Sequence, residues 1–280
     1  MDLYSPTLLL AGAGDLGLRT GQLALREKWQ VLGLRRNPPA QGDSRIEWVA
    51  ANLAEPATLR LKHRAITHVL YAVAPDRRSP EAYEQVFLRG LENLLKELDL
   101  NALQRLVFVS STAVYSPAPG WLDEHSPTEP RQFNGQILLQ AEQMLQHTIP
   151  AQAVVLRPSG LYGPGRTQLL ERLRQERATV PNDPEQWANR FHIEDAARAC
   201  MHLLRIPAPF PCYIGTDSRP YPITELYDGL ADLLQVAHPA REPAGEGGKR
   251  LSNQRLLDSG FELNWPDALD GYAQLIRDGA

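Results

Sequence analysis

Cysteine is nearly absent from this chain of 280 residues, which holds only Cys200 and Cys212. Two thiols with no metal-ligand spacing around them exclude a disulfide-stapled secreted domain and a cysteine-based metal centre. They fit core or near-surface thiols in a reducing compartment. Long hydrophobic runs are missing as well. The run Leu8-Leu9-Leu10-Ala11 falls far short of the roughly 20 apolar residues that a membrane-spanning helix needs. The N-terminus carries Asp2 and no basic segment, so neither a signal peptide nor a membrane anchor is expected. Positive charge is not in surplus: 29 Lys and Arg stand against 33 Asp and Glu, a net charge of −4. That balance gives no general attraction to nucleic acid or acidic membranes, and any bound phosphate must be held by local groups. No internal repeat or low-complexity tract occurs. The hydrophobic fraction of 43% and charged fraction of 22% are those of an ordinary globular protein, long enough for one large domain or one domain with an appendage. A cytoplasmic protein is expected.

What is present begins with Thr7 to Gly17, TLLLAGAGDLG. A short apolar strand breaks into Gly12-Ala13-Gly14-Asp15-Leu16-Gly17, which satisfies G-x-G-x-x-G ahead of a helical segment, Leu16 to Arg26, and a second strand, Gln30 to Leu34. This is the pattern of a dinucleotide-binding turn. Gly12 permits the tight turn, Gly14 lets backbone approach a pyrophosphate, and Gly17 lets the helix pack closely. The helix-opening amides at Asp15 and Leu16 would face the phosphates. The second strand ends in Arg35-Arg36-Asn37, where an acidic residue would hold ribose hydroxyls and a basic one would accept a 2′-phosphate. The cofactor reading is therefore NADP, with NAD as the alternative.

Further on, Ile46 to Ala51 reads as a third strand leading into Asn52-Leu53, and Pro56 as the first turn of a helix to about His63. Thr67 to Val73 reads as a strand closing in the small residues Ala72-Val73-Ala74, across which a cofactor could lie. Apolar residues spaced three and four apart from Ser79 to Leu98 predict a long helix. Arg105 to Val109 gives a fifth strand ending in Ser110-Ser111-Thr112, Arg131 to Gln146 a second long helix, and Gln152 to Leu156 a sixth strand ending in Arg157-Pro158. Six strands alternating with helices argue for an α/β, doubly wound (Rossmann-type) parallel sheet with its site at the strand carboxyl ends. Asn52, Leu53, Ala72, Val73, Ala74 and Ser110 count as cofactor-binding positions on that ground. Residues 1–156 are expected to form the dinucleotide-binding domain. Residues 157–280 are expected to interleave the remaining sheet elements with a small C-terminal substrate-side cap, including a helix from Gln168 to Glu176 and another to about Leu204.

Taken with the glycine turn, VSSTAVY at Val109 to Tyr115, RPSGLYGPG at Arg157 to Gly165 and RFHIEDAA at Arg190 to Ala197 resemble the extended short-chain dehydrogenase/reductase family of NAD(P)-dependent epimerases and dehydratases. The resemblance implies that Ser111 hydrogen-bonds a substrate oxygen, that Pro158, Ser159 and Gly160 lie near the nicotinamide carboxamide, and that His192 and Asp195 link cap to nucleotide domain. It also implies a homodimer through the two long helices, although their stripes would look the same if packed on the sheet. Family members carry Tyr-x-x-x-Lys on the second long helix. Aligning on Ala141-Glu142 puts Asn134 and Leu138 there instead, and none of Lys28, Lys62, Lys96 and Lys249 has a tyrosine four residues before it. Asn134 cannot titrate and Leu138 cannot supply charge.

Three readings follow. The chain is an oxidoreductase or epimerase using another acid, Tyr115 or Tyr162, with Ser111 and Thr112 as orienters. Or it is a non-catalytic NADP-binding sensor like the nitrogen-metabolite-repressor regulators. Or its nucleotide site is vestigial. The substrate is left open as a small molecule, with no metal, nucleic acid or membrane involved.

Overall fold

The computed structural model describes residues 5–182, 186–243 and 247–280. Asp2 lies outside the described residues. Seven strands form one sheet: β1 (Thr7–Ala11), β2 (Gln30–Arg35), β3 (Ile46–Ala50), β4 (His68–Tyr71), β5 (Arg105–Val109), β6 (Ala153–Pro158) and β7 (Cys212–Gly215). Their order is β7-β6-β5-β4-β1-β2-β3. The pairings are parallel, with Leu9 opposite Leu32 on one side and Val69 on the other. In β1 every residue is buried, as a strand covered on both faces requires. The edge strand β3 is less covered, with Ile46 and Val49 buried, Trp48 half-buried, and Glu47 and Ala50 exposed. The order reverses between β1 and β4, which places the topological switch point beside the glycine turn.

The seventh strand extends the expected six. It lies directly after the loop Ile206 to Pro211 and is only four residues long, so periodicity could not separate it from a turn. The helix expected from Pro56 to His63 is corrected to a single 3-10 turn, Pro56–Thr58. Leu59 and Leu61 are both buried while Arg60 is exposed. That period of two requires extended backbone, since a helix would turn residues two apart toward different faces.

The chain divides into two compact units, each discontinuous in sequence. The first comprises residues 1–114, 129–157 and 197–213, and the second 115–128, 158–196 and 214–280. In the first, α1 (Asp15–Arg26) follows β1, and a Cβ at Gly21 would lie 2.8 Å from the Leu10 side chain, so this helix packs directly on the strand. The long helix expected from Ser79 to Leu98 is α2 (Pro80–Tyr83), a π-helical stretch Glu84–Arg89, and α3 (Gly90–Glu97). The π turn frees carbonyls from the usual ladder. The buried Tyr71 phenol donates to one of them, the Val86 carbonyl, at 2.6 Å, and burial pushes that phenol above its ordinary range. Next come α4 (Phe133–Thr148), α5 (Gln168–Arg174), α6 (Ile193–Arg205), α7 (Ile223–Leu234), α8 (Gln254–Asp258) and α9 (Ala268–Arg277).

The second unit has its own core, with Leu170 and Leu173 of α5, Leu226 and Leu230 of α7, and Tyr272 and Leu275 of α9 around Tyr162. Short parallel pairs complete it: Gly160–Tyr162 with Arg190–His192, Thr179–Pro181 with Ala240–Glu242, and Trp121–Leu122 with Arg250–Leu251. Cys200 is buried and Cys212 half-buried, both unbridged. Among the described residues no helix is long and apolar enough to cross a membrane.

Candidate functional site

The glycine turn is held by backbone on two sides and open on the third. Gly12 has φ +93°, and a Cβ there would lie 2.6 Å from the Ala72 carbonyl oxygen and 2.7 Å from the Val73 nitrogen. The turn therefore rests on the end of β4, bringing Gly12, Ala72 and Val73 together. A Cβ at Gly17 would lie 2.4 Å from the Gly12 carbonyl oxygen, so only glycine allows the first turn of α1 to close against the loop. Gly14 is different: a Cβ there would meet nothing within 4 Å. It is the N-cap of α1 and has no side chain to satisfy the helix's leading amides, which with the helix dipole favour an anion at this end. Open space at Gly14 beside those amides fits a pyrophosphate. The Asp15 side chain pairs with Arg19 at 2.7 Å, and Leu16 is buried.

The basic strand end is divided. Arg36 forms a fork with Asp76, both bonds at 2.6 Å, and that pairing holds the carboxyl below its usual range. The pair is more than half exposed. Arg35 is exposed, and its side chain has no hydrogen-bond or ionic partner among the described residues. Asn52 serves its own turn, its Oδ1 accepting from the Ala54 amide at 3.1 Å and its Nδ2 donating to Glu55 at 2.7 Å. The Leu53 carbonyl accepts from Asn93 at 2.9 Å. Ala74 is exposed just past the end of β4.

At the end of β5 the two serines part company. Ser110 is buried and its hydroxyl donates to Glu142 of α4. Glu142 in turn receives Arg157 of β6, Nε at 3.1 Å and Nη2 at 2.5 Å, with side-chain exposures of 5% and 8%. Ser110 is thus tied into a buried ion pair that locks β5, α4 and β6. Ser111 is half-buried, and its Oγ accepts from the Ala113 amide at 3.1 Å, which leaves its own proton for another acceptor. A Cβ at Gly135 would lie 2.3 Å from the Ala113 carbonyl oxygen, so α4 is seated against this same turn. The residue before it, Asn134, has a buried Oδ1 with no hydrogen-bond partner among the described residues, and Leu138 is buried.

The remaining candidates fall in the second unit. Tyr115 is 2% exposed, and its carbonyl accepts from Lys249 Nζ at 2.7 Å. Burial holds that amine below its usual pKa. Pro158 and Ser159 are buried, and Ser159 bonds Thr216 at 3.0 Å, whose hydroxyl lies 3.1 Å from Asp217. Burial pushes the Asp217 carboxyl up to about 7. Gly160 lies under the Arg190 guanidinium, with 2.5 Å between a Cβ there and Nη1. Tyr162 is packing rather than an exposed acid: it stacks on Tyr272 with ring centroids 4.3 Å apart and meets His192 edge-on at 5.0 Å. Burial, with Asp217 adding to it, raises its phenol above the ordinary range. Asp195, fully buried, accepts from the amides of Asn264 at 3.0 Å and Trp265 at 2.8 Å, so it anchors the approach to α9.

Sequence reading missed the Glu142–Arg157 pair, Asp217 and Lys249. For Glu142 the signal existed, an acid on the buried stripe of an otherwise apolar helix face. For Asp217 and Lys249 no local pattern marks a residue whose partners lie 27 and 134 positions away.

A family model for the NAD dependent epimerase/dehydratase family matches residues 8–212. Protein YeeZ of Escherichia coli (strain K12) is 28% identical over 271 residues, spanning 93% of this chain and 96% of that protein. A 2-alkyl-3-oxoalkanoate reductase of Stenotrophomonas maltophilia (strain K279a) is 26% identical, spanning 85% and 77%. Among solved structures, a protein of Methylobacillus flagellatus classed with NAD-dependent epimerases/dehydratases is 34% identical, with TM-score 0.83 and 98% of each chain covered. The UDP-glucose 4-epimerase of Thermus thermophilus, solved with NAD, shares the fold at 19% identity, TM-score 0.79, over 98% of this chain and 100% of that one.

Proposed function

This chain belongs to the NAD-dependent epimerase/dehydratase family, and from that premise we propose that it is an NADP(H)-binding oxidoreductase or epimerase/dehydratase-like enzyme acting on a small hydroxyl or carbonyl substrate without the family's phenol–ammonium pair. The observation that carries the reading is the glycine turn, packed at Gly12 and Gly17 but open at Gly14 over the first amides of α1. The bound dinucleotide would supply hydride chemistry. The chain's own groups would hold and orient. Gly12 to Gly17 would carry the pyrophosphate, and Ala72, Val73 and Ala74 would leave the strand end unobstructed. Ser111, whose hydroxyl proton is not used by its backbone contact, would donate to a substrate oxygen. Tyr115 is the candidate acid. The similarity to a 2-alkyl-3-oxoalkanoate reductase supports a carbonyl substrate.

Preference for NADP(H) over NAD(H) rests on Arg35 and Arg36. A hydrogen bond to a charged partner is worth about 1.5–3 kcal/mol, hence about tenfold or more in affinity. Arg35→Ala with Arg36→Ala should abolish the preference. Asp76→Asn, which releases Arg36 from its fork, should strengthen NADPH binding without strengthening NADH binding. Equal dissociation constants for the two cofactors in the unmodified protein, measured by calorimetry, would overturn the assignment.

The Oδ1 of Asn134, without a hydrogen-bond partner among the described residues, and the buried Leu138 favour a second reading, a sensor that binds nucleotide without turnover. An amide there can accept a ligand's hydrogen bond but cannot exchange a proton near neutral pH. Positioned acids and bases contribute about 10² to 10⁴ in rate. Asn134→Tyr with Leu138→Lys, four residues apart on one helix face, should therefore gain NADPH-dependent turnover of model ketones over the unmodified protein. Multiple-turnover NADPH oxidation against a carbonyl panel separates the readings. Efficient turnover by the unmodified protein, lost in Ser111→Ala and Tyr115→Phe, selects the enzyme; its absence, with NADPH still bound, selects the sensor.

A further inference from the structure

In the second unit the guanidinium of Arg250 lies over two indoles, its Cζ 4.1 Å from the Trp121 ring centroid and 4.3 Å from that of Trp187. Both rings are within cation–π range, so each indole packs its face toward this guanidinium. The side chain is held in this slot by backbone. Arg250 pairs in register with Trp121, and Asn189, two residues from Trp187, clasps the same strand by donating to the Lys249 carbonyl at 2.6 Å and accepting from the Leu251 amide at 2.9 Å. Among the described residues no carboxylate pairs with Arg250, and its Nε is enclosed without a hydrogen-bond partner. Trp121 is 52% exposed and Arg250 only half-buried, so the slot opens to solvent.

A guanidinium donates only in its plane. Its bonds to a ligand therefore run along the edge, where two parallel N–H groups match the two oxygens of a carboxylate or phosphate. The indoles stabilise the cation by their π faces and remove the rotamer freedom that binding would otherwise have to quench. We propose that Trp121, Trp187 and Arg250 form an oxyanion subsite that takes the carboxylate or phosphate group of a small ligand. The inference rests on the proposed substrate role of this unit only for calling that ligand a substrate; the subsite itself does not depend on nucleotide binding.

The test is intrinsic tryptophan fluorescence of the whole protein titrated with succinate and with inorganic phosphate, ionic strength held constant with chloride. A saturable change with at least one anion is expected, and the anion that saturates tells a carboxylate from a phosphate ligand. Arg250→Lys keeps the charge but loses the fork, and should weaken binding about tenfold or more. Arg250→Gln should remove it, and Trp121→Phe should remove part of the signal. NADPH binding, measured on the same samples, should be unchanged in all three variants, which verifies folding and keeps the cofactor reading separate. No saturation with either anion in the unmodified protein, or equal affinity in Arg250→Lys, overturns the proposal.

Discussion

Gly14→Val is expected to abolish dinucleotide binding while the protein stays folded. The physical grounds are unusual for a glycine in a turn. Its φ of −85° is open to any residue, and a Cβ there meets no protein atom within 4 Å. The folded state therefore loses only the N-cap preference, about 1 kcal/mol, since a β-branched apolar residue caps poorly. The bound state loses far more, because the isopropyl group occupies the space above the α1 amides where a pyrophosphate would lie. Gly17→Ala is the contrasting variant. Its Cβ would stand 2.4 Å from the Gly12 carbonyl oxygen, a backbone contact that cannot yield without opening the turn, so both stability and binding should fall. Calorimetric titration with NADPH and a urea unfolding curve read the two effects independently. Unchanged binding in Gly14→Val would remove the pyrophosphate from this turn, whereas no dinucleotide binding by the unmodified protein would leave the vestigial reading in its place.

The other large effect is expected at Glu142. Replacing it by leucine takes away the carboxylate bonded to the Arg157 guanidinium, 8% exposed, and deprives the Ser110 hydroxyl of its acceptor. Removing one partner of a buried pair costs about 3–5 kcal/mol, whereas replacing both with apolar residues of similar volume is close to neutral. Glu142→Leu and Arg157→Leu should each lower unfolding free energy by about that amount, and the double variant should recover most of it. Urea unfolding of the four proteins closes the cycle. Single variants within about 1 kcal/mol of the unmodified protein would show that the pair is not what joins β5, α4 and β6.

The contrast between these sites shows what could be read in advance. The central sheet was legible because its strands are local: Leu8 to Ala11, Val31 to Leu34 and Leu106 to Phe108 are short apolar runs with turn residues at their ends, and burial on both faces demands that pattern. The glycine turn was legible for the same reason, since G-x-G-x-x-G encodes a backbone shape within six residues. Where sequence reading fell short, a contact from elsewhere decided. Leu59 and Leu61 pull the Pro56 segment out of a helix by burying on one side. The π turn is matched by the Tyr71 phenol from β4.

The side chains with the most chemistry depend on distant partners. Arg36 is met by Asp76, Lys249 by the Tyr115 backbone carbonyl, and Arg250 by Trp121 and Trp187. Backbone conformation and the sides on which a strand buries its residues follow from neighbours a few positions apart, so the linear chain specifies the parallel sheet and its glycine turn. Charge pairing, desolvation and the pKa of a group such as Asp217 depend on which residues far along the chain arrive beside it. Those were settled by the tertiary structure alone.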